Sequence, residues 1–303
     1  MAKLVVIGSG PAAFAAAMYA ARESTEVVVY EKETMGGIAS SIDTIENYPG
    51  FPDGITGMAL MNRMREQAEK YGAVVEYGEV TKLECKKGSC KLIVDDEEVE
   101  ADAVLIATGC KRRPLGIPGE AEFVGRGVHY CATCDGAVYS GKRLLVVGGA
   151  NSALQEAIYL TRFADKVELV VRNKMKASKI LQDAVQKLVK VGKMKVHTGA
   201  VPLEVVGDGG RFSGLRVEEA KGKRLVKADG MFVFVGMMPV TDFLDGVELA
   251  DDGSVKTDAN YMTNLKGVFV AGDVRSGATK QIVCACGEGA AAAMKIRDYL
   301  EGF

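Results

Sequence analysis

Leu4-Val5-Val6-Ile7-Gly8-Ser9-Gly10-Pro11-Ala12-Ala13 decides the fold of this 303-residue chain. Four consecutive apolar residues predict a strand buried on both faces, and the glycines follow it at once. In this GxGxxA pattern Gly8 permits the tight turn and Gly10 lets a pyrophosphate come up to the backbone. Ala13 lets the Ala-rich helix from Phe14 to Arg22 pack close on the sheet. Phosphates settle at such a helix N-terminus because its N–H groups are unpaired and the dipole favours negative charge. A second apolar strand, Glu26 to Tyr30, runs into Glu31, at the distance from Gly8 where a carboxylate holds a pair of ribose hydroxyls. Strand, glycines, helix, strand and acid together predict a dinucleotide-binding fold.

The pattern recurs. Leu144-Leu145-Val146-Val147 leads into Gly148-Gly149-Ala150-Asn151-Ser152-Ala153 and an amphipathic helix to Phe163. The next strand, Val167 to Val171, ends in Arg172-Asn173-Lys174-Met175-Lys176, a basic cluster where a second ribose would be read and where no carboxylate stands. Before this unit, the buried strand from Ala103 ends at Gly109, and proline and glycine between Arg113 and Gly119 mark a boundary. After it the first pattern returns with Val268-Phe269-Val270-Ala271-Gly272-Asp273 and a helix from Gln281 to Leu300. The expected fold is α/β, with two nested Rossmann-like dinucleotide-binding domains: one over 1–114 and 241–303, interrupted by a smaller nucleotide and disulfide domain over 115–240.

The connection carrying Met35-Gly36-Gly37 and Glu46-Asn47-Tyr48-Pro49-Gly50-Phe51 is long and aperiodic, so it is expected to lie along the cofactor. Gly57 to Tyr71 reads as an amphipathic helix. Short alternating strands follow from Ala73 to Val99, with Cys85 and Cys90 on either side of a turn, placed to face each other across a hairpin but read as incidental for want of an activating context. In the second unit a helix is expected from Ile180 to Val191, with strands at 195–197, 203–206, 215–219 and 231–235.

Cys131-Ala132-Thr133-Cys134-Asp135 carries the chemistry. At the start of a helix, i, i+3 spacing brings both sulfurs to one face, and the positive helix end stabilises a thiolate. Asp135 is placed to give or take the proton that thiol-disulfide exchange moves. A bare CxxC is equally half of a zinc site, and Cys131, Cys134, Cys284 and Cys286 supply the count for a four-thiolate centre in a binding module. The second pair's C-x-C spacing is atypical for zinc, and that reading leaves both nucleotide signatures idle, so no metal is expected. His129, just before the pair, is placed to tune Cys131 but reads more readily as a structural histidine with a hydrogen bond, and His197 sits in an ordinary strand pattern.

Composition narrows the partners. The 38 basic and 40 acidic residues nearly cancel and no basic run tracks a phosphate backbone, which argues against nucleic acid. No apolar run reaches membrane-spanning length, and the N-terminus enters a strand without a charged leader, so a cytoplasmic protein is expected. Seven cysteines, an odd count, fit a reducing compartment in which one catalytic pair cycles.

These motifs, over essentially the whole chain, closely resemble low-molecular-weight thioredoxin reductases. The resemblance implies FAD on Gly8, Gly10, Ala12, Ala13 and Glu31, with Gly36, Gly37, Ile38 and Asn47 along the flavin. Asp273 would bind the ribitol, and Gly109 and Gly272, each ending a buried strand, join the cofactor positions. Lys280-Gln281-Ile282, with Lys in place of the family's Arg, would border the flavin's pyrimidine end. By the same resemblance Cys134 faces the flavin, Cys131 attacks the disulfide of a thioredoxin-like protein, Asp135 is the acid/base, and the enzyme is a homodimer. NADPH would lie on Gly148, Gly149, Ala150, Asn151, Ser152, Arg172 and Lys176, but here the chain departs from its family. Ala150 replaces a glycine where the pyrophosphate approaches, the HRRxxxR grip on the 2′-phosphate is one residue short and keeps one Arg, and Ile38 replaces a Gln. The donor is therefore expected to be NADPH, weakly bound, or a non-nicotinamide carrier such as a reduced deazaflavin or ferredoxin.

Overall fold

The computed structural model describes residues 2–86 and 89–302. The chain forms two compact units, 1–111 with 238–303, and 112–237. It passes between them at 111/112 and 237/238, against the 114/115 and 240/241 expected from proline and glycine punctuation.

In the first unit β1 (Lys3–Ile7), α1 (Pro11–Arg22) and β2 (Glu26–Glu31) are followed by the short α2 (Gly37–Ser40), α3 (Gly57–Lys70) and β3 (Val74–Tyr77). Three antiparallel strands, β4 (Val80–Lys86), β5 (Ser89–Val94) and β6 (Glu97–Ala101), lead into β7 (Ala103–Ile106) and β8 (Cys110–Arg112). In the second unit α4 (Glu120–Phe123), β9 (Val128–His129), α5 (Ala132–Asp135) and a 3-10 turn (Gly136–Tyr139) precede β10 (Arg143–Val147). Then come α6 (Asn151–Leu160), β11 (Lys166–Val171), α7 (Lys179–Lys190), β12 (Met194–Thr198), β13 (Val201–Asp208), β14 (Arg211–Glu219), β15 (Gly222–Lys227) and β16 (Gly230–Val233). The chain ends with β17 (Met237–Pro239), β18 (Val268–Val270) and α8 (Ile282–Glu301).

Each unit is built on a five-stranded parallel sheet, ordered β18-β7-β1-β2-β3 in the first and β12-β11-β10-β16-β9 in the second. Parallel strands covered on both faces need side chains that tolerate burial everywhere, which is why Leu4, Val5 and Val6 are fully inaccessible. Helix α1 starts at Pro11, whose missing N–H is harmless in a first turn, so it extends three residues before the predicted Phe14. It packs against α8 through small residues: a Cβ on Gly289 would lie 2.1 Å from the Ala12 carbonyl oxygen. A Cβ on Gly272, in the loop after β18, would lie 2.9 Å from the Ala12 Cβ, so the start of α1 sits beside that loop and the first half of α8.

Cys85 and Cys90, read in the sequence as incidental, face each other directly across β4 and β5 and are joined by a disulfide. Cys90 is buried among Val80, Leu83 and Leu92, so this pair belongs to a core. Strand β15 was not anticipated. Its sequence GKRLVK alternates poorly, and what makes it a strand is its antiparallel pairing with β14. Among the described residues no helix is long and apolar enough to cross a membrane.

Candidate active site

In the first unit the turn after β1 is held by local geometry. Gly8 has φ +99°, and a Cβ there would lie 2.6 Å from the Ala107 carbonyl oxygen at the end of β7. Ser9, 1% exposed, ties the turn together: its N–H and Oγ donate to Glu31 Oε2 at 3.0 and 2.7 Å, and its Oγ accepts from the Gly36 N–H at 3.0 Å. Glu31 Oε1 accepts the Glu33 N–H at 2.9 Å, so the carboxylate is fixed at the tip of β2 beside the glycine turn. Ser9 escaped the sequence reading. Its signal was a polar residue inside the fingerprint, where a buried hydroxyl must find partners.

Gly10 stands at the N-cap of α1 and a Cβ there would meet nothing within 4 Å, while the nearest neighbour of a Cβ on Gly37 is the Gly10 Cα at 3.8 Å. Two glycines thus border an opening above a helix N-terminus. The side chains of Ala12 and Ala13 are buried, so these residues offer a ligand only their backbone. Gly36 is left-handed (φ +89°) against Met61, Gly109 is left-handed in the connection between β7 and β8, and Ile38 is half-buried in α2.

Gly272 donates its N–H to Glu288 Oε2 at 2.9 Å, and Arg275 clamps the same carboxylate with two bonds of 3.0 and 2.5 Å, which anchors the loop between β18 and α8. Beside it the Asp273 carboxylate has no hydrogen-bond partner among the described residues. Burial raises its pKa against the pull of Lys280, with Glu288 adding to the rise. A half-buried carboxylate with free lone pairs suits a ligand hydroxyl. Gln281 is the N-cap of α8 and its Oε1 accepts from Asn47 Nδ2 at 2.9 Å, so the long Glu46–Phe51 connection and the α8 start, carrying Ile282, meet. Tyr48 donates to Cys286 Sγ at 3.6 Å, and burial pushes its phenol up to about 12. Cys110 is buried with its thiol pushed up by desolvation, 3.6 Å from Lys280 Nζ.

In the second unit Cys131 is the N-cap of α5 and forms a disulfide with Cys134 across a Cα–Cα distance of 5.3 Å. The Cys134 N–H points at Cys131 Sγ at 3.1 Å, so a helix-terminal N–H faces the first sulfur, where it would stabilise a thiolate. Cys134 is exposed and Cys131 half-buried. Asp135 is engaged by His129: Nδ1 lies 3.1 Å from Asp135 Oδ2, and Nε2 lies 2.7 Å from the Tyr139 hydroxyl. Burial, then the charges of Asp135 and Asp229, raise the Tyr139 pKa. In the tautomer with its proton on Nδ1, the ring accepts the Tyr139 O–H at Nε2 and faces the Asp135 carboxylate with an N–H. His129 thus makes the hydrogen bond expected of it, to Tyr139, and also faces Asp135.

The second glycine turn differs. Gly148 has φ +147° and Gly149 packs against Val171, but the exposed Ala150 caps α6 and its methyl stands at the helix N-terminus. Lys176 donates its N–H to the Gly149 carbonyl at 2.6 Å and Ser178 donates its N–H to Asn151 Oδ1 at 2.8 Å, so the Arg172–Lys176 segment is tied directly to the turn. Arg172, Lys174 and Lys176 are exposed, as is Ser152, and none of the three basic side chains pairs with a carboxylate among the described residues.

The chain matches the family profile described as pyridine nucleotide-disulphide oxidoreductase over residues 2–289. It is 39% identical over 302 residues to a thioredoxin reductase of Listeria monocytogenes, covering 98% of this chain and 93% of that one. A thioredoxin reductase crystal structure from Lactococcus lactis superposes with a TM-score of 0.94 at 37% identity, covering 100% of both chains. One from T. acidophilum gives 0.91 at 32% identity and covers 99% of each.

Proposed function

This chain belongs to the pyridine nucleotide-disulphide oxidoreductase family, and from that premise we propose that it is a flavin-dependent reductase of a thioredoxin-like protein. The observation that carries the reading is the Cys131–Cys134 disulfide at the start of α5 followed at once by a carboxylate, in a chain that is similar to thioredoxin reductases over its whole length. A structural zinc module gives no account of a family match spanning both nucleotide folds.

The residues fit FAD. Gly10 and Gly37 leave room for a pyrophosphate at the start of α1, Glu31 is fixed where a ribose is read, and Asp273 has free lone pairs for the ribitol. Bound there, the flavin supplies the electron pair that opens the disulfide. Gln281 and Ile282 at the start of α8 offer its pyrimidine end a positive helix terminus, with Lys280 adding charge.

The protein's own groups then exchange thiols. With Cys131 as thiolate, Cys134 as thiol and Asp135 carrying a proton taken up from solvent, the Cys131 thiolate attacks the partner's disulfide, whose departing sulfur takes the proton from Asp135. The Cys134 thiol gives its proton to Asp135 and attacks the Cys131 sulfur. The second partner sulfur leaves and takes that proton, so the dithiol is oxidised, the partner gains two thiols and Asp135 ends ionised. Asp135→Asn keeps the side-chain shape but removes the proton carrier, so turnover with thioredoxin is expected to fall roughly 10²-fold. Wild-type turnover of this variant at neutral pH would end the assignment. A homodimer in the cytoplasm accompanies this reading through the family.

The donor is read from the second glycine turn. Ala150 crowds the pyrophosphate position, while Arg172, Lys174 and Lys176 offer unpaired positive charge without the fork geometry of a full arginine grip. NADPH is expected to be preferred over NADH, with weak binding that salt weakens further. Stopped-flow reduction of the bound flavin checks this: saturable reduction by NADPH that slows with salt is expected. No reduction at high NADPH or NADH would instead assign the electrons to a non-nicotinamide carrier such as a reduced deazaflavin or ferredoxin. Ala150→Gly strengthens NADPH binding if the methyl is the obstacle, and unchanged affinity would place the fault in the Arg172 cluster.

A further inference from the structure

We propose that His129 is the positioning residue for the proton carrier of the exchange: its Nδ1–H holds the Asp135 carboxylate beside the Cys131–Cys134 pair, and Tyr139 holds the imidazole. The proposal rests on the reading of the protein as a dithiol reductase.

Asp135 closes a helix of only four residues and is 38% exposed, so neither its backbone nor its own burial fixes its rotamer. His129 does. The imidazole is buried, lies on strand β9 paired in register with Phe232 of β16, and stacks on the Phe232 ring at 5.3 Å with 28° between planes. Its Nε2 is occupied by the Tyr139 hydroxyl, and Tyr139 is seated where Gly230 lacks a side chain: a Cβ on Gly230 would lie 2.6 Å from the ring. The strand is pinned from its other side as well. Tyr130 donates to Glu120 Oε1 at 2.8 Å, and that buried carboxylate also accepts the N–H groups of Leu115 and Gly116. The imidazole therefore has a fixed position, with Nδ1 3.1 Å from one oxygen of Asp135. The second carboxylate oxygen is left to carry the proton between Cys134 and the departing sulfur. A group held this way reacts from one geometry, and small misplacements of a proton carrier cost large factors in rate.

A packing role and a positioning role separate by substitution. His129→Asn keeps a donor close to the Nδ1 position and loses the ring. His129→Phe keeps the ring against Phe232 and Tyr139 and loses the donor. The full-length flavin-loaded protein is reduced with dithionite, so that the natural donor does not matter, and mixed with oxidised thioredoxin or with an aromatic nitrobenzoate disulfide. The aromatic thiolate leaves without needing a proton, so the proton carrier matters less for it. With thioredoxin, His129→Phe is expected to slow single-turnover oxidation of the dithiol by about 10-fold and His129→Asn by about threefold, with much smaller losses on the aromatic disulfide. Tyr139→Phe, which removes one hydroxyl and keeps the fold, is expected to slow thioredoxin reduction by roughly threefold. The proposal is overturned if His129→Phe matches or exceeds His129→Asn, if both disulfides lose equally, or if Tyr139→Phe and His129→Asn leave the rate with thioredoxin unchanged. Failure of the reduced wild-type protein to reduce thioredoxin would overturn the functional reading, and this role with it.

Discussion

Cys131→Ser and Cys134→Ser are each expected to abolish thioredoxin reduction while the protein stays yellow. The residues proposed to hold the flavin lie in the first unit, in the turn after β1, at the tip of β2, in α2, in the loop after β18 and at the start of α8, whereas the pair lies at the start of α5 in the second, so neither serine replaces one of them. Each leaves one sulfur, and one sulfur either stops at the mixed disulfide or cannot begin the attack. The two variants should differ in colour. If Cys134 is the sulfur that meets the flavin, Cys131→Ser shows a long-wavelength thiolate-flavin absorption that Cys134→Ser lacks. Absorption spectra and turnover with thioredoxin check both points: the reverse pattern exchanges the two roles, and residual dithiol-dependent turnover in either variant removes the pair from the mechanism.

Two alanines at the first glycine turn should lose the flavin for different reasons. Gly8→Ala forces a side chain onto a residue at φ +99° and into the Ala107 backbone at 2.6 Å. Left-handed strain of about 1–3 kcal/mol adds to the overlap, so this variant should be both colourless and destabilised. Gly10→Ala meets nothing within 4 Å, so the apoprotein should keep its melting temperature. Its methyl occupies the space where the pyrophosphate approaches, and crowding of roughly 1–3 kcal/mol corresponds to about a 5- to 150-fold loss of flavin affinity. Flavin content and thermal unfolding of the two apoproteins distinguish them. A yellow Gly10→Ala protein with wild-type affinity would place the pyrophosphate elsewhere.

The departures of the donor turn carry further weight once their surroundings are in view. Ala150 and the Arg172–Lys176 segment lie together, because the Lys176–Gly149 and Ser178–Asn151 bonds tie that segment to the turn. Neither bond uses the Ala150 side chain, so Ala150→Gly tests the methyl apart from the Arg172 cluster.

What the sequence determined by itself is local. The run from Leu4 to Ile7, the glycines behind it and the alanines of α1 state a strand, a turn and a closely packed helix, because each depends on the backbone freedom or side-chain size of residues a few positions apart. The Cys131–Cys134 spacing brings two sulfurs within reach for the same reason, while the spacing alone leaves a disulfide and half of a zinc site both open, and the bond itself is read from the structure. What only the tertiary structure decided joins residues far apart through register and packing. The Cys85–Cys90 bond requires that β4 and β5 pair with those two residues opposite each other, and β15 exists because β14 offers it an edge. Ser9 binds Glu31 and Gly36 only because β2 lies parallel to β1 and returns the chain beside the turn. His129 reaches Asp135 and Tyr139 because β16 fixes β9 and Gly230 makes room for a ring. A residue's type shows that it can donate or accept a proton, but which partner it meets is set by strands and helices whose positions no short stretch of sequence contains.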